Sequence, residues 1–356
     1  MSPSTQNLNI MLFLVEKRIK FWVEVRRLRT TSFKECTCRL IPTTIGSYPR
    51  PPWFRDYLRK IEGLQKEGRG GVDRAIYSKA VAEVIHEQRE AGVKLLTDGQ
   101  LLWHDLLCHL ATRIDGFEMN GLVRYFDNNL YYRIPKVKAK LERRRSIVVD
   151  EFKVAYSIEH EMKAVLSCFT LTSLSEDEFY HDKSEFVMDI AHIMNQEAKE
   201  LVKNGAKYIQ IDEPSLLYAV KEDLNLMKDA IEVIRRDVDA KFFLVTYFRD
   251  AERIFPEVLD YDVDVLGLDF VEGYEKNLEL LREYGVDKEV QAGVVDGRTT
   301  KMEDKEHVRE KIKAICEVIN GDNLYVSPNT GLEFLPYSKA SEKLRILCSS
   351  IGDDSG

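Results

Sequence analysis

The sequence predicts an α/β protein folded as a TIM barrel, with a long excursion after its second strand. Two observations predict this fold. From residue 39 onward, short apolar segments alternate with longer amphipathic, charge-rich segments, which is the order of strands and helices around a parallel sheet. Polar or acidic side chains follow six of the eight predicted strands, at the ends where barrel enzymes place their active sites.

The predicted strands are short apolar runs, many of their residues β-branched or aromatic. They cover residues 40–44, 94–98, 164–168, 208–212, 242–246, 265–269, 290–294 and 324–327. Two intervening segments, residues 78–91 and 185–204, carry apolar residues at helical spacing and are predicted to be helices packed on one side. Ala91-Gly92 and Asn204-Gly205 are typical helix ends just before the next strand.

One connection breaks this alternation. Residues 99–163 separate the second and third strands, and Asn128-Asn129 lies there between aromatic-rich flanks, which predicts a hairpin or a long excursion over the barrel mouth. The basic stretch 136–145 follows, and we interpret it as the solvated end of a surface helix. The alternative is a patch for a polyanionic ligand, in which Lys136, Arg143 and Arg144 contact an anionic tail.

Composition and charge exclude several classes of function. The formal net charge is -8, which argues against nucleic acid or an anionic membrane as the main partner. The six cysteines lie at irregular spacings that do not indicate a disulfide framework, so the reducing cytoplasm is the expected compartment.

Residues 1–38 are predicted to be an N-terminal extension ahead of a single barrel domain at residues 39–356. The apolar run at residues 9–15 is too short to span a bilayer, and basic residues follow it, whereas in a signal peptide they come first. We therefore expect this segment to be disordered or to derive from a translated upstream region.

Asp212 and Glu213 give the clearest indication of a site. They come directly after the fourth strand and before Pro214, and two carboxylates are not needed to end a strand. A carboxylate on a core element is costly unless it is paired or used. We therefore predict that this pair binds an ammonium group or a cation at the barrel mouth.

Other candidates have a structural alternative. Ser47 either caps the following helix or holds a substrate carboxylate. Asp98 precedes Gly99, so a turn and a substrate contact are equally open. His104 and Cys108 would share one face of a helix, which is compatible with a metal, but no second pair of ligands accompanies them and we favour a structural helix.

Two of these stretches resemble a known family. IPTTIGSYP at residues 41–49 and YIQIDEP at residues 208–214 are similar to the signatures of cobalamin-independent methionine synthase, and the resemblance covers about residues 40–348. Those enzymes contain two similar TIM barrels: the C-terminal barrel binds zinc and homocysteine, and the N-terminal barrel contributes to binding the methylfolate polyglutamate.

Three further stretches, residues 124–135, 245–248 and 291–298, resemble the N-terminal barrel more closely. The resemblance therefore implies a stand-alone, N-terminal-type barrel that keeps part of the homocysteine site.

The resemblance implies an enzyme of methionine biosynthesis that transfers a methyl group from 5-methyltetrahydropteroyltriglutamate, or a similar folate-type donor, to homocysteine or a related amino acid. Ser47 would bind the substrate carboxylate and Asp212 its ammonium group. The other substrate-binding candidates are Asp98, Glu213 and Gln100, which stands where the family has a glutamate.

The sequence departs from the family at the zinc ligands. The matching positions hold Leu244, Thr246, Asp269 and Thr330, and neither leucine nor neutral threonine is a zinc ligand. We therefore expect no metal site and no cofactor in this chain, and a separate zinc-bearing catalytic barrel as its partner. The alternative function is a non-catalytic substrate-binding or scaffolding subunit that has lost zinc-dependent catalysis.

Overall fold

The computed structural model describes residues 38–66, 71–126 and 131–352. The predicted N-terminal extension lies outside these ranges up to residue 37 and stays a prediction. The described chain contains ten strands, listed here in order: β1 Arg39–Pro42, β2 Asp115–Arg124, β3 Tyr131–Glu142, β4 Lys163–Leu166, β5 Glu176–Asp177, β6 Tyr208–Asp212, β7 Lys241–Val245, β8 Val265–Asp269, β9 Glu289–Val295 and β10 Asn323–Pro328.

Seven of these strands form one parallel sheet in the order β1-β10-β9-β8-β7-β6-β4. The sheet curls, because residues 94–99 lie between its two edge strands and contact both. Lys94 N–H donates to the Pro42 carbonyl at 2.9 Å on one side, and Leu96 N–H donates to the Glu161 carbonyl at 3.0 Å on the other. The predicted α/β class with a parallel sheet is confirmed.

The second predicted strand, residues 94–98, contributes isolated parallel bridges and no continuous ladder. At Thr97, the side-chain amide of Gln88 makes the backbone hydrogen bonds that a neighbouring strand would otherwise make. Gln88 Nε2 donates to the Thr97 carbonyl at 2.9 Å, and the Thr97 N–H donates to Gln88 Oε1 at 3.3 Å. A side chain from the preceding helix thus replaces the neighbouring strand at this position.

Ten α-helices occur in the described residues: α1 Pro52–Lys66, α2 Arg74–Glu90, α3 Leu106–Ala111, α4 Val149–Tyr156, α5 Phe169–Ser173, α6 Lys183–Lys203, α7 Lys221–Arg235, α8 Tyr274–Tyr284, α9 Lys305–Cys316 and α10 Tyr337–Ile351. The predicted helices 78–91 and 185–204 correspond to α2 and α6. Asp73 and Asp182 cap them by accepting backbone N–H groups of their first turns. None of the helices in the described ranges is long and apolar enough to span a membrane.

Strands β2 and β3 are antiparallel partners, with Phe117 opposite Val137 and Arg124 opposite Tyr131. The predicted hairpin is therefore confirmed, although its tip at residues 127–130 lies outside the described chain. The helix end predicted at residues 136–145 is wrong, because most of this stretch belongs to β3. Val137 and Leu141 are buried while Lys138 and Lys140 are exposed, and this two-residue alternation is the signal of a strand.

The sheet separates two apolar layers. Alternate residues of β7 show this: Phe242 and Leu244 belong to the large core under the helices, whereas Phe243 and Val245 belong to a smaller cluster inside the curl. The inside also contains buried polar side chains, which are needed for the site described next.

Candidate functional site

A cavity of about 770 Å³ opens at the carboxyl ends of the strands. Ser47, Gln100 and Asp212, three of the residues predicted to bind substrate, line it together. Their convergence follows from parallel strands ending at one edge. Asp98 and Glu213, predicted for the same role, lie outside the lining.

Asp212 is the last residue of β6 and is 4% exposed. Its Oδ1 accepts a hydrogen bond from Gln210 Nε2 at 2.6 Å, and its Oδ2 accepts a long one from the Tyr247 hydroxyl at 3.4 Å. Both partners are neutral. Burial raises the pKa of Asp212 to about 7, against the opposing effect of the Gln210 hydrogen bond. The carboxylate therefore lies at the cavity without a directly bonded cation from the chain.

Glu213 is fully buried, and its carboxylate is hydrogen-bonded to backbone N–H groups. Its carboxylate accepts the N–H groups of Cys168 at 2.6 Å, Phe169 at 3.0 Å and Thr170 at 2.6 Å, which are the unpaired donors at the start of α5. Neighbouring residues of an extended chain point to opposite sides, so the two adjacent carboxylates have different surroundings. Glu213 thus acts as a helix cap in this structure.

Ser47 is half-buried at the cavity, and its hydroxyl donates to the carboxylate of Glu333. The backbone joins the same two loops, because the Leu332 N–H donates to the Ser47 carbonyl at 2.9 Å. Glu333 also lines the cavity and was not found by sequence reasoning, since no pattern links the loop after the last strand to Ser47. A substrate carboxylate at the Ser47 hydroxyl would have to displace Glu333.

Asp98 forms a turn, because its Oδ1 accepts the Gln100 N–H at 3.0 Å and Gly99 has a positive φ of 76°. This turn directs Gln100 to the cavity. Gln100 Nε2 is buried and has no hydrogen-bond partner among the described residues. Glycine at position 46 leaves room for it, since a Cβ there would lie 2.8 Å from Gln100 Nε2. An unpaired amide donor at a cavity is available to an acceptor atom of a ligand or of water.

The predicted anionic-tail residues pair with carboxylates of the chain and lie outside the cavity lining. Lys136 pairs with Glu176 at 2.9 Å and with Glu178 at 2.7 Å. Arg143 pairs with the buried Glu197 at 2.5 Å. Arg144, which is exposed, pairs with Glu142 at 2.8 Å and with Asp115 at 3.4 Å. Contact with an anionic tail stays a prediction for these three residues.

Aromatic rings and an arginine complete the lining, and sequence reasoning did not assign them. The Phe126 and Phe248 ring centroids lie 5.3 Å apart at the mouth, and the Arg298 guanidinium lies 5.4 Å from the Phe248 ring. Arg50 is fixed by hydrogen bonds from its Nε to the Leu101 carbonyl at 2.7 Å and from its Nη2 to the Trp103 carbonyl at 2.5 Å. The aromatic-rich stretch near residue 126 was the available signal for this wall.

The positions of the family's zinc ligands do not fit zinc in this chain. Leu244 is buried in the outer core, and Thr246 Oγ1 donates to the Gly267 carbonyl at 3.0 Å. The Asp269 carboxylate already accepts four hydrogen bonds, from the N–H groups of Phe248, Val271 and Glu272 and from Asn329 Nδ2. In the described ranges, no group of three or more histidine, cysteine, aspartate or glutamate residues is placed to hold a metal ion.

The His104 and Cys108 pair does not share a helix face. α3 begins at Leu106, after the exposed His104, and Cys108 is buried within it. The adjacent His109 bonds Glu151 at 3.2 Å and Arg113 at 3.0 Å, which makes this segment part of a buried polar network. These contacts agree with the structural interpretation of the segment.

Comparison with known proteins decides the family. The family model described as "Cobalamin-independent synthase, Catalytic domain" matches residues 40–350. The methionine synthase of Saccharolobus solfataricus is 36% identical over 311 residues, which are 86% of this chain and 92% of that protein. The chain belongs to the cobalamin-independent methionine synthase family. The methionine synthase of Sulfolobus acidocaldarius is 30% identical over 309 residues, 86% of this chain and 89% of that protein.

Solved structures give the same fold. A B12-independent methionine synthase from a Shewanella species, in complex with selenomethionine, superposes with a TM-score of 0.75 at 20% identity, over 87% of this chain and 96% of that one. The predicted family and a methionine-synthase-like function in the methyltransferase class are thereby confirmed. The matching family model is that of the catalytic domain, whereas the closer likeness to an N-terminal-type barrel stays a prediction.

Proposed function

We propose that the cavity binds homocysteine or a related amino acid and that the protein takes part in methyl transfer from a folate-type donor to the sulfur of that amino acid. In this transfer the thiol loses its proton, a bond forms between sulfur and the methyl carbon, the bond from that carbon to the donor breaks, and the leaving atom of the donor takes up a proton. Asp212 binds the substrate ammonium group. The Shewanella relative, whose structure contains a selenium analogue of methionine, supports an amino acid of this shape as the ligand.

The Asp212 carboxylate carries this proposal. It is buried at the cavity, yet its two hydrogen-bond partners in the chain are neutral. A buried carboxylate is stable as an anion when it is paired with a cation, and an amino-acid ammonium group supplies that cation when it binds. Gln100, with its unpaired Nε2, is the proposed donor to an acceptor atom of the same ligand.

The volume and the aromatic mouth support a second, larger ligand. About 770 Å³ exceeds what a small amino acid fills, and Phe126 and Phe248, whose rings are tilted by 33°, form an apolar aromatic entrance suited to a flat ring system such as a pterin. Arg50, which is bonded to two backbone carbonyls, adds a positive charge to the lining that suits an anionic donor, whereas Arg298 is already paired with the Glu272 carboxylate.

The thiol would be activated outside this chain. The four positions that hold zinc ligands in the family do not offer a zinc site here, and a homocysteine thiol is a weak nucleophile at neutral pH until it is deprotonated. We therefore propose a separate zinc-bearing barrel as the partner and the cytoplasm as the compartment. We also propose that residues 94–98 act as the eighth strand of a closed barrel, supported by their bridges to both edge strands.

Calorimetric titration with homocysteine and with its desamino analogue, 4-sulfanylbutanoate, tests the proposed function. The Asp212→Asn variant should bind homocysteine about 10- to 100-fold more weakly, because a hydrogen bond to a charged group contributes about 1.5–3 kcal/mol. Binding of the analogue should not change, since it has no ammonium group. An unchanged homocysteine affinity in this variant would remove Asp212, and with it the proposed binding mode.

Asp264→Asn is the matched control. Asp264 is an aspartate at the opposite end of the sheet, where it pairs with Arg235 at 2.8 Å. This variant should keep the wild-type affinity for both ligands. Methyl transfer should require addition of a zinc-bearing barrel, and turnover by the isolated chain would overturn the proposed partner.

A further inference from the structure

A chain of buried polar side chains runs through the inside of the curled sheet to Asp212. It starts at Lys163, the first residue of β4, which is 2% exposed. Lys163 Nζ donates to Gln210 Oε1 at 2.5 Å and to Gln291 Oε1 at 3.1 Å, and it lies 5.1 Å from the Phe243 ring centroid. Both hydrogen-bond acceptors are amide oxygens, so no carboxylate is directly bonded to this amino group.

The Gln210 amide continues the chain on its other side. Gln210 Nε2 donates to Asp212 Oδ1 and to the Ile45 carbonyl, each at 2.6 Å. Both N–H donors of this amide and its oxygen are thus hydrogen-bonded, in a residue that is fully buried. Ile45 lies two residues before Ser47, so one amide contacts two segments that line the cavity.

Lys163 on one side and two acceptors on the other favour one orientation of this amide. If the amide turned over, Gln210 Oε1 would face the Asp212 carboxylate and the Ile45 carbonyl, which are both acceptors, and Nε2 would face the Lys163 donor. Burial lowers the pKa of Lys163 to about 7, but the two hydrogen bonds require two N–H groups, which the neutral amine also has. Both hydrogen bonds of Lys163 can therefore form in either protonation state.

A buried lysine bonded to two amides is a costly way to fill a core. An apolar side chain of similar volume at this position would avoid the desolvation of the amino group. We propose that Lys163 is a positioning residue, which fixes the Gln210 side-chain amide so that the amide holds the Asp212 carboxylate and the Ile45 carbonyl in place at the cavity. This inference deepens the proposed function, on which it rests for the identity of the ligand.

The test compares Lys163→Met with wild type in binding homocysteine and 4-sulfanylbutanoate. Methionine fills the space of the lysine stem and removes the donor. The variant should bind homocysteine about 10-fold more weakly and the analogue within about 2-fold of wild type, because the effect passes through the Asp212 contact with the ammonium group. In the double variant with Asp212→Asn, the added loss should be under about 2-fold, since both changes act on one contact.

Lys241→Met is the matched control. Lys241, the first residue of β7, lies level with Lys163 at the amino ends of the strands and bonds Glu289 at 2.5 Å. Its replacement should leave both affinities unchanged. A folded Lys163→Met protein with wild-type homocysteine affinity, or losses that multiply in the double variant, would overturn the inference.

Two further measurements apply when the binding test with Lys163→Met gives no answer. If wild type binds homocysteine no better than the analogue, the proposed function fails, and a crystal structure of Lys163→Met decides the positioning role. A turned Gln210 amide or a displaced Asp212 carboxylate supports it, and an unchanged arrangement overturns it.

If Lys163→Met does not fold, Gln210→Glu replaces this variant in the binding test, because the new carboxylate pairs with Lys163 but cannot donate to Asp212. A retained preference for homocysteine in that variant overturns the inference.

Discussion

The edge of the central sheet at the amino ends of its strands and the edge at their carboxyl ends differ in the partners that their polar side chains have. At the amino ends of the strands, charged groups pair with one another: Lys241 with Glu289 at 2.5 Å, and Arg235 with Asp264 at 2.8 Å. At the carboxyl ends, Gln100 Nε2 is buried without a partner in the described chain, and Asp212 bonds neutral groups. The two ion pairs named at the first edge are complete within the chain, whereas the proposed ligand would complete the second edge.

Glu213 sharpens this comparison, because it follows β6 at the carboxyl ends of the strands and its carboxylate is nevertheless hydrogen-bonded within the chain. The Glu213→Ala variant should lose about 3–5 kcal/mol of unfolding free energy, since it leaves three buried N–H groups at the start of α5 without an acceptor. Urea denaturation followed by circular dichroism measures this. Glu178→Ala, which removes an exposed partner of Lys136 and Lys138, is the control and should leave the unfolding free energy nearly unchanged. A small loss in Glu213→Ala would show that the carboxylate is held for a ligand instead.

Gln100 tests whether the carboxyl-end edge is the one that a ligand completes. The Gln100→Met variant should bind homocysteine about 2- to 10-fold more weakly, because a neutral hydrogen bond contributes about 0.5–1.5 kcal/mol. The unfolding free energy should not fall, since Gln100 Nε2 has no partner to lose within the described chain. Calorimetry and urea denaturation on the same samples separate the two effects. A loss of stability without a loss of affinity would mean that this edge, too, is complete without ligand.

Asp98 gives the smallest expected effect, a change in pH dependence. Burial, followed by the nearby Glu151 charge, raises the pKa of Asp98 from 3.8 to about 7. As pH rises from about 4 to about 7, the unfolded chain loses this proton first, so the folded state loses stability. Asp98→Asn stays neutral throughout. Its urea midpoint should therefore fall less than that of wild type over this range, and parallel pH profiles would contradict the raised pKa.

Sequence reasoning found the cavity edge because strand ends are encoded locally. Asp212, Ser47 and Gln100 each follow an apolar run, and parallel strands bring such positions to one edge. Glu333 and Arg50 could not be found this way, because they reach the cavity from loops whose paths depend on tertiary packing. The different surroundings of Asp212 and Glu213 were available in principle, since adjacent residues of a strand face opposite sides.

Two errors of the sequence analysis have equally local causes. Residues 136–145 were assigned to a helix end because of their charge, although Val137 and Leu141 already alternate with lysines. Residues 94–98 were assigned to a full strand, and nothing in that segment reveals that Gln88, nine residues before Thr97, takes its backbone hydrogen bonds.

The contact between Gln88 and Thr97 also bears on how this protein can change over evolutionary time. Elsewhere around the curl, backbone groups join the strands, and such bonds are nearly indifferent to which residue occupies each position. At Thr97 an amide side chain makes the connection, and it also accepts the Thr44 hydroxyl at 3.0 Å. A substitution of Gln88 would therefore remove the side-chain partner of the Thr97 backbone, three residues before Gln100, and leave the Thr97 hydroxyl, which donates to the Gly46 carbonyl at 2.6 Å, to hold this junction.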